Sequence, residues 1–392
     1  MPGEVDHIIN GNDNLKMTGK TIMLVFGTRP EAIKMCPLVK ELQSRSTIRT
    51  CVCVTGQHRQ MLDQVLKTFH ITPDYDLSIM KDKQTLFDIT ADVLNGMKNI
   101  LEEVRPDIVL VHGDTTTTFA SALACFYFQI PVGHVEAGLR TYNIYSPYPE
   151  EFNREAVGSI ASLHFAPTAV SRDNLLREGK KEESVFVTGN TAIDALKTTV
   201  REDYTHPELE WASGFRLILI TAHRRENLGE PMRHMFRAIR RVLDEHEDVK
   251  AIYPIHLNPA VRQAAEEVFG EISPGGKEER LHLIDPLDVL DFHNFMKASY
   301  LILTDSGGIQ EEAPALGKPV LVMRDTTERP EGIKAGTLKL VGKDEDVIYR
   351  SFTELLEDEK IYNSMAYASN PYGDGQASVR IADILEFGYT KR

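Results

Sequence analysis

Three carboxylates in this sequence have the type and setting for proton transfer. Asp114 lies in His112-Gly-Asp-Thr-Thr-Thr-Thr118, Glu136 in His134-Val-Glu-Ala-Gly-Leu-Arg140 and Glu150 in Ser146-Pro-Tyr-Pro-Glu-Glu-Phe-Asn-Arg154. Asp114 follows the apolar run Ile108–Val111, Glu136 follows Ile130–Gly133, and Glu150 falls in a proline-rich loop. In an open parallel sheet the carboxyl ends of the strands face the ligand crevice. Acidic residues there contribute little to a core and are well suited to general acid–base catalysis. An enzyme is expected.

A second group of segments suits an anion. Gly27-Thr-Arg-Pro-Glu31 and Ala222-His-Arg-Arg-Glu226 each close the first strand of one half of the chain. Both put donor groups at a strand-to-helix turn, where oriented backbone N–H groups favour negative charge. Thr304-Asp-Ser-Gly-Gly308 sits at a similar turn, with Glu311-Glu312 one turn further on. Its glycines admit phosphate oxygens to the backbone, and a nearby carboxylate suits ribose hydroxyls. An ordinary turn with exposed glutamates is the plainer reading. Arg329 follows the strand near Val320–Met323 and could neutralise phosphate, against a solvated Arg–Glu loop. Phe292 could stack on a base, although most such aromatics are core. Neither GxGxxG nor GxxxxGK[ST] occurs, which removes support for tight dinucleotide binding and for P-loop ATP hydrolysis. The histidines preceding Asp114 and Glu136 do not form a recognised metal spacing, and a catalytic metal is not expected.

These groups need a scaffold of βα units. Strand-like runs at 21–26, 50–54, 107–111, 131–135 and 163–166 alternate with helix-like runs, among them one at 85–103. The pattern restarts at 215–220 and continues through strands near 251–255, 281–284, 300–304 and 320–323. Apolar strands alternating with helices predict doubly wound parallel sheets. The expected fold is α/β, two Rossmann-like domains facing a cleft. Residues 1–20 read as an extension, 21–190 as the first domain and 191–374 as the second. A final helix in 375–392 returns to the first domain, after the breaker Asn370-Pro-Tyr-Gly-Asp-Gly375.

Composition narrows the partners. The 392 residues are 42% hydrophobic and 26% charged, with 44 basic and 58 acidic side chains and a net charge of −14. That field disfavours nucleic acid and anionic lipid surfaces. No apolar run approaches the roughly 18–20 residues of a membrane span, and residues 1–20 lack a secretory h-region, so a cytoplasmic location is expected. Four cysteines are too few for a disulfide framework, and Cys51 and Cys53 alternate along one strand as buried residues do.

Taken together, the strings GTRPEAIKM, TGQHRQML, HGDTTTT, HVEAGLR, SPYPEEFNR, TAHRREN, YPIHLNP, LTDSGGIQEEAP and RDTTERPEG resemble the non-hydrolysing UDP-N-acetylglucosamine 2-epimerases, and run in that family's order from about residue 22 to 375. The resemblance implies a GT-B-like fold and reversible inversion at C2 through elimination of UDP, enzyme-held 2-acetamidoglucal and re-addition. It implies no cofactor, a homodimer and a role in supplying units for surface polysaccharide. By position, Asp114, Glu136, Glu150 and His223 match catalytic residues, with no division of proton-transfer roles among the three acids. Arg29, Lys34, Arg154, Leu287, Phe292, Ser306, Gly307, Gly308, Glu312 and Arg329 match substrate contacts. Some relatives bind a second UDP-N-acetylglucosamine as activator. Gln57, His58, Gln60 and Gln84 match that site, and Lys83 stands where relatives often carry arginine, losing its bidentate fork. Alternatives are a hydrolysing epimerase releasing free sugar, a GT-B glycosyltransferase that needs an acceptor, and a nucleotide-sugar-binding regulator without catalysis.

Overall fold

A computed structural model describes residues 19–57, 59–270, 280–327 and 329–388. The first sheet has strands β1 (Lys20–Phe26), β2 (Ile48–Val54), β3 (Tyr75–Asp76), β4 (Ile108–His112), β5 (Val132–Val135), β6 (Leu163–Ala166) and β7 (Val185–Val187). The second has β8 (Arg216–Thr221), β9 (Val249–Pro254), β10 (Leu281–Ile284), β11 (Leu301–Thr304), β12 (Val320–Val322) and β13 (Leu338–Leu340). Their orders are β3-β2-β1-β4-β5-β6-β7 and β10-β9-β8-β11-β12-β13, with every pairing parallel. Both sheets are therefore doubly wound about a reversal of strand order, at β1/β4 and at β8/β11. Ligands of open α/β sheets bind at such reversals. The α/β, two-domain, GT-B-like architecture expected from the sequence is the one observed.

Runs such as Ile22-Met-Leu-Val-Phe26 are buried along their length because helices cover both faces of each sheet. In the first domain one face packs Leu24, Phe26, Met35 and Leu110, while the other packs Met23, Val25, Val93 and Val111. Cys51 and Cys53 are buried on the second of these faces. Ile381 and Leu385, from the end of the chain, join the first face. The helix Ala377–Asp383 continues there as a π-helical turn over Ile384–Gly388, and residues 389–392 lie outside the described residues.

The two connections between the domains touch. The Asn190 N–H donates to the Tyr372 carbonyl at 2.7 Å. Gly189 and Gly373 have φ of +89° and +130°, and a Cβ on Gly373 would lie 3.3 Å from the Gly189 Cα. Left-handed backbone and close approach both require glycine at this crossing.

Several segments differ from the sequence reading. Glu150 belongs to a helix, Glu150–Ile160, rather than to a proline-rich loop. Pro147 and Pro149 precede that helix, and proline at a helix entry is compatible with its start. The edge strands β3, β7 and β13 carry only two or three residues each, too few for a strand pattern to register, and were not expected.

Gly27 closes β1 where the backbone passes under two threonines. A Cβ there would lie 1.9 Å from Thr55 Oγ1 and 2.8 Å from Thr117 Oγ1. Gly27→Ala is expected to cost about 1–3 kcal/mol through overpacking, read as a lowered midpoint of thermal or urea unfolding. An unchanged midpoint would contradict this packing.

Candidate functional site

The first-domain turn is built around Glu31. Its Oε2 accepts from the backbone N–H groups of Gly27 at 2.9 Å and Thr28 at 2.8 Å, closing a capping box on the helix Arg29–Gln43. Its Oε1 accepts from Thr115 at 2.6 Å and Thr118 at 3.0 Å, tying this turn to the one after β4. Arg29, Pro30, Ile33 and Lys34 thereby face the cleft from one helix.

The second-domain turn is built around Asp305, which is fully buried. Its Oδ2 accepts from the backbone N–H groups of His223 and Arg224, both at 2.8 Å, and from Asn227 Nδ2 at 3.0 Å. Its Oδ1 is 3.5 Å from His223 Nδ1. The His223 ring stacks on His256 with centroids 5.4 Å apart, and burial pushes its titration below the ordinary histidine value.

A cavity of about 510 Å³ opens between these turns. Its wall contains Arg29, Lys34, His223, Leu287, Phe292, Ser306, Gly308, Glu312 and Arg329. Gly307 belongs to the same turn without lining that wall. Glu312 is buried, and His293 Nε2 lies 3.6 Å from its carboxylate. Burial opposes the Glu312 charge, but His293 outweighs it and lowers the carboxyl below the usual range.

Asp114, Glu136, Glu150 and Arg154 stand outside this wall, and Lys34 connects the two sets. Lys34 lines the cavity and is ion-paired with Glu136. Asp114 and Glu136 follow neighbouring strands, since His112 of β4 pairs with Val135 of β5. Glu136 is buried with φ +62°, a left-handed conformation uncommon outside glycine. Burial disfavours its charge, yet Lys34 and His112 hold its carboxyl well below the ordinary range. Burial likewise works against the Lys34 charge, and Glu136 and Glu311 overcome it, raising the ammonium above its usual value.

Arg154 binds Asp114 at 2.5 Å and Glu151 at 3.0 Å. Asn153 Nδ2 donates to the Asp114 carbonyl at 2.8 Å. Glu150 precedes these residues by one helical turn, on the same face. Among the described residues its side chain makes no hydrogen bond or ion pair. Tyr142, Tyr145 and Tyr148, in the preceding loop, are exposed rather than packed.

Of the residues matched to an activator site, Gln57 accepts a hydrogen bond from Thr117 at 3.1 Å, on the helix that follows Asp114. Gln84 binds the Ile79 carbonyl, and the Ile79 N–H reaches Thr55 at 3.0 Å. Gln60 and Lys83 are exposed, and His58 lies outside the described residues.

Asn190 and Glu151 were not singled out from sequence, and the contacts of Glu311 were not foreseen. Asn190 Nδ2 donates to Glu136 at 2.9 Å and also to Glu311. Arg329 Nε donates to Glu311 at 2.5 Å. Glu151 is wholly buried, and its Oε1 holds the backbone N–H groups of Thr141 at 2.8 Å and Tyr142 at 2.9 Å. Only Asn190 carried a signal, as a helix N-cap after glycine.

Behind the carboxylates, His134 donates from Nε2 to the Gly113 carbonyl at 2.7 Å. Burial drives its pKa down to about 3, and that of the neighbouring His164 to about 4. Both stay neutral in the fold, whereas the unfolded chain takes up protons below about pH 6.5. Stability should therefore fall as pH drops from 6.5 towards 4, by about 1.4 kcal/mol per pH unit for each proton. The melting temperature should track this, with a shallower fall in His164→Asn. Equal slopes would contradict a buried neutral His164. Among the described residues no group of three metal-ligating side chains is assembled, and no helix is long and apolar enough to cross a membrane.

The sequence model of the family described as UDP-N-acetylglucosamine 2-epimerase matches residues 40–386. The chain is 62% identical over 371 residues to the UDP-N-acetylglucosamine 2-epimerase of Bacillus subtilis, covering 95% of this chain and 96% of that protein. It is similar to the Neisseria meningitidis UDP-GlcNAc 2-epimerase structure bound to UDP-GlcNAc, at 49% identity and a TM-score of 0.84, covering 93% and 99% of the two chains. The Methanocaldococcus jannaschii UDP-GlcNAc 2-epimerase, solved with UDP-GlcNAc and UDP, aligns at 32% identity and a TM-score of 0.77 over 94% and 100%.

Proposed function

The chain belongs to the UDP-N-acetylglucosamine 2-epimerase family, and on that premise we propose that it interconverts UDP-N-acetylglucosamine and UDP-N-acetylmannosamine without releasing free sugar. The observation that carries this reading is the double membership of Lys34, which lines the cavity and binds Glu136. A cationic wall suited to a diphosphate thus adjoins a cluster of carboxylates suited to C2.

In the proposed reaction an enzyme carboxylate takes the C2 proton. The C–H electron pair becomes the C1=C2 bond of 2-acetamidoglucal, and the C1–O pair leaves with UDP. Re-addition of UDP to C1, with a proton delivered to the other face of C2, gives the epimer. Atoms and electrons balance without nicotinamide or metal. Asp114, Glu136 and Glu150 supply proton transfer on the two faces. Arg29, His223, Arg329 and the Ser306–Gly308 turn hold the diphosphate, so that the developing charge on UDP is met by fixed donors. Glu312 takes ribose hydroxyls, and Leu287 with Phe292 takes the uracil. Lys34 holds the Glu136 carboxylate, and Arg154 the Asp114 carboxylate, beside the sugar.

The product decides between this and the hydrolysing alternative. Proton NMR of a reaction started from UDP-N-acetylglucosamine should show a mixture with the manno nucleotide sugar. Free N-acetylmannosamine as the main product would contradict the reading.

Activation by a second UDP-N-acetylglucosamine at Gln57, His58, Gln60, Lys83 and Gln84 also belongs to the proposal. The Thr117–Gln57 bond gives it a route, through the helix that follows Asp114. The reverse reaction should then be stimulated several-fold by added UDP-N-acetylglucosamine, and less in Lys83→Ala. A purely hyperbolic forward rate curve with no such stimulation would oppose activation. We further propose a cytoplasmic homodimer serving surface polysaccharide synthesis, with 21–190 and the C-terminal helix as one domain and 191–374 as the other; of the extension expected at 1–20, residues 1–18 lie outside the described residues and Lys20 already belongs to β1.

A further inference from the structure

The buried pair Glu136 and Glu311 lies where the two connections between the domains cross. Asn190 has one amide nitrogen with two hydrogens, and each carboxylate receives one of them. The amide is not free to swing away. Its oxygen caps the helix Thr191–Thr199 through the Ala192 N–H at 2.9 Å, and its backbone N–H is held by Tyr372. Glu311 is fixed as firmly, since Arg329 Nε binds its side chain and Asn370 Nδ2 binds its carbonyl at 3.1 Å. The Tyr372 hydroxyl completes the crossing by donating to the Arg329 carbonyl at 3.1 Å.

Two carboxylates bridged by one amide, both removed from water, repel each other strongly when both are charged. The other ionisable groups facing the pair are Lys34, His112, Arg154, Arg329 and the Tyr372 hydroxyl, and Glu312 acts on Lys34 and Arg329. Paired with Lys34 alone, Glu136 would be a poor base, because the ammonium stabilises its charged form. A proton acceptor works best when its proton affinity is matched to the working pH. Glu311 is the buried anion that can offset Lys34.

We infer that Glu311 is a positioning residue: its charge, applied through the shared Asn190 amide, makes Glu136 a stronger base than its pairing with Lys34 alone would allow. This inference rests on the epimerase reading for its chemistry. Burial and the Glu136 charge push the Glu311 carboxyl up, against Arg329 and Lys34, as coupling between the two requires. Glu311 itself touches no reacting atom in this account. It also makes the base depend on the domain crossing, since Asn190 holds both carboxylates and is itself held by the Tyr372 carbonyl.

Glu311→Gln tests the inference. With a like charge removed, Glu136 should bind its proton less tightly. The acid limb of the kcat–pH profile should move to lower pH by up to about one unit, and the plateau kcat should fall about tenfold. KM should stay within about threefold, and Glu311→Asp should recover part of the rate and the original limb. A fall in kcat with an unmoved limb, or one that Glu311→Asp does not relieve, would overturn the inference in favour of a merely structural role.

A second measurement needs no turnover. The infrared carboxyl band absent from Glu311→Gln should titrate at lower pH in Glu136→Gln than in the unaltered protein. An unmoved band would show that the two carboxylates are not coupled and would overturn the inference. If the unaltered protein failed to epimerise, the proposed function would fall, while this band would still decide the coupling.

Discussion

Glu136→Gln is expected to lower turnover by on the order of a thousandfold, with UDP affinity changed by no more than a few fold. Three features of Glu136 make this the largest kinetic effect in the site. It follows β5 at the strand-order reversal side of the sheet, one residue beyond the partner of His112. Its left-handed backbone is a conformation that glutamate adopts at some cost, consistent with a position held for function. Its carboxylate has three neighbours that favour charge: Lys34 in an ion pair, Asn190 at 2.9 Å and His112 at 3.6 Å. Glutamine keeps the shape but accepts no proton, and it leaves Lys34 as a buried cation without its partner. Breaking such a pair costs about 3–5 kcal/mol of stability, so the unfolding midpoint must be measured beside kcat. Glu136→Asp keeps the charge on a shorter arm and separates the two effects. Calorimetric titration with UDP checks the intact second domain. Near-normal kcat in Glu136→Gln would remove Glu136 from the chemistry.

Asp305→Ala is the second large expectation, acting on binding rather than on proton transfer. One buried carboxylate oxygen holds the turn after β8 through three donors, at 2.8, 2.8 and 3.0 Å. Hydrogen bonds to a charged group contribute roughly 1.5–3 kcal/mol each and are not additive. Without them the His223–Arg224 backbone loses its side-chain anchor, and His223 loses the oxygen 3.5 Å from its Nδ1. UDP affinity should fall by about 10–100-fold, the ratio that 1.4–2.8 kcal/mol produces, and the melting temperature should drop. Asp305→Asn should lie between the two, because its amide oxygen accepts without charge. Unchanged UDP affinity in Asp305→Ala would mean that this turn does not shape the nucleotide site.

The sheets were legible because their strands are buried on both faces. Runs such as Arg216-Leu-Ile-Leu-Ile-Thr221 carry the signal in consecutive residues. The placement of Asp114, Glu136 and His223 at strand ends was legible because each comes one or two residues after such a strand. Asp305 lies within a segment read for its serine and glycines, yet its work is to hold residues 223, 224 and 227. Nothing local in Thr304-Asp-Ser announces a partner some 80 positions away. Asn190 and Glu311 are separated by 121 positions and meet only where the chain crosses between domains. Periodicity and spacing report on neighbours in sequence, so a hydrogen bond made by topology leaves no trace in them. Glu150 illustrates a different limit. Prolines on its N-terminal side argue for a loop, but proline is also tolerated where a helix begins.

If the C2 proton is removed and replaced while UDP stays bound, hydrogen from the solvent must enter the product at C2. With UDP-N-acetylglucosamine and the protein in D2O, proton NMR should show loss of the C2 proton signal in the manno product as epimerisation proceeds. Epimerisation that retains the original C2 hydrogen would contradict the account.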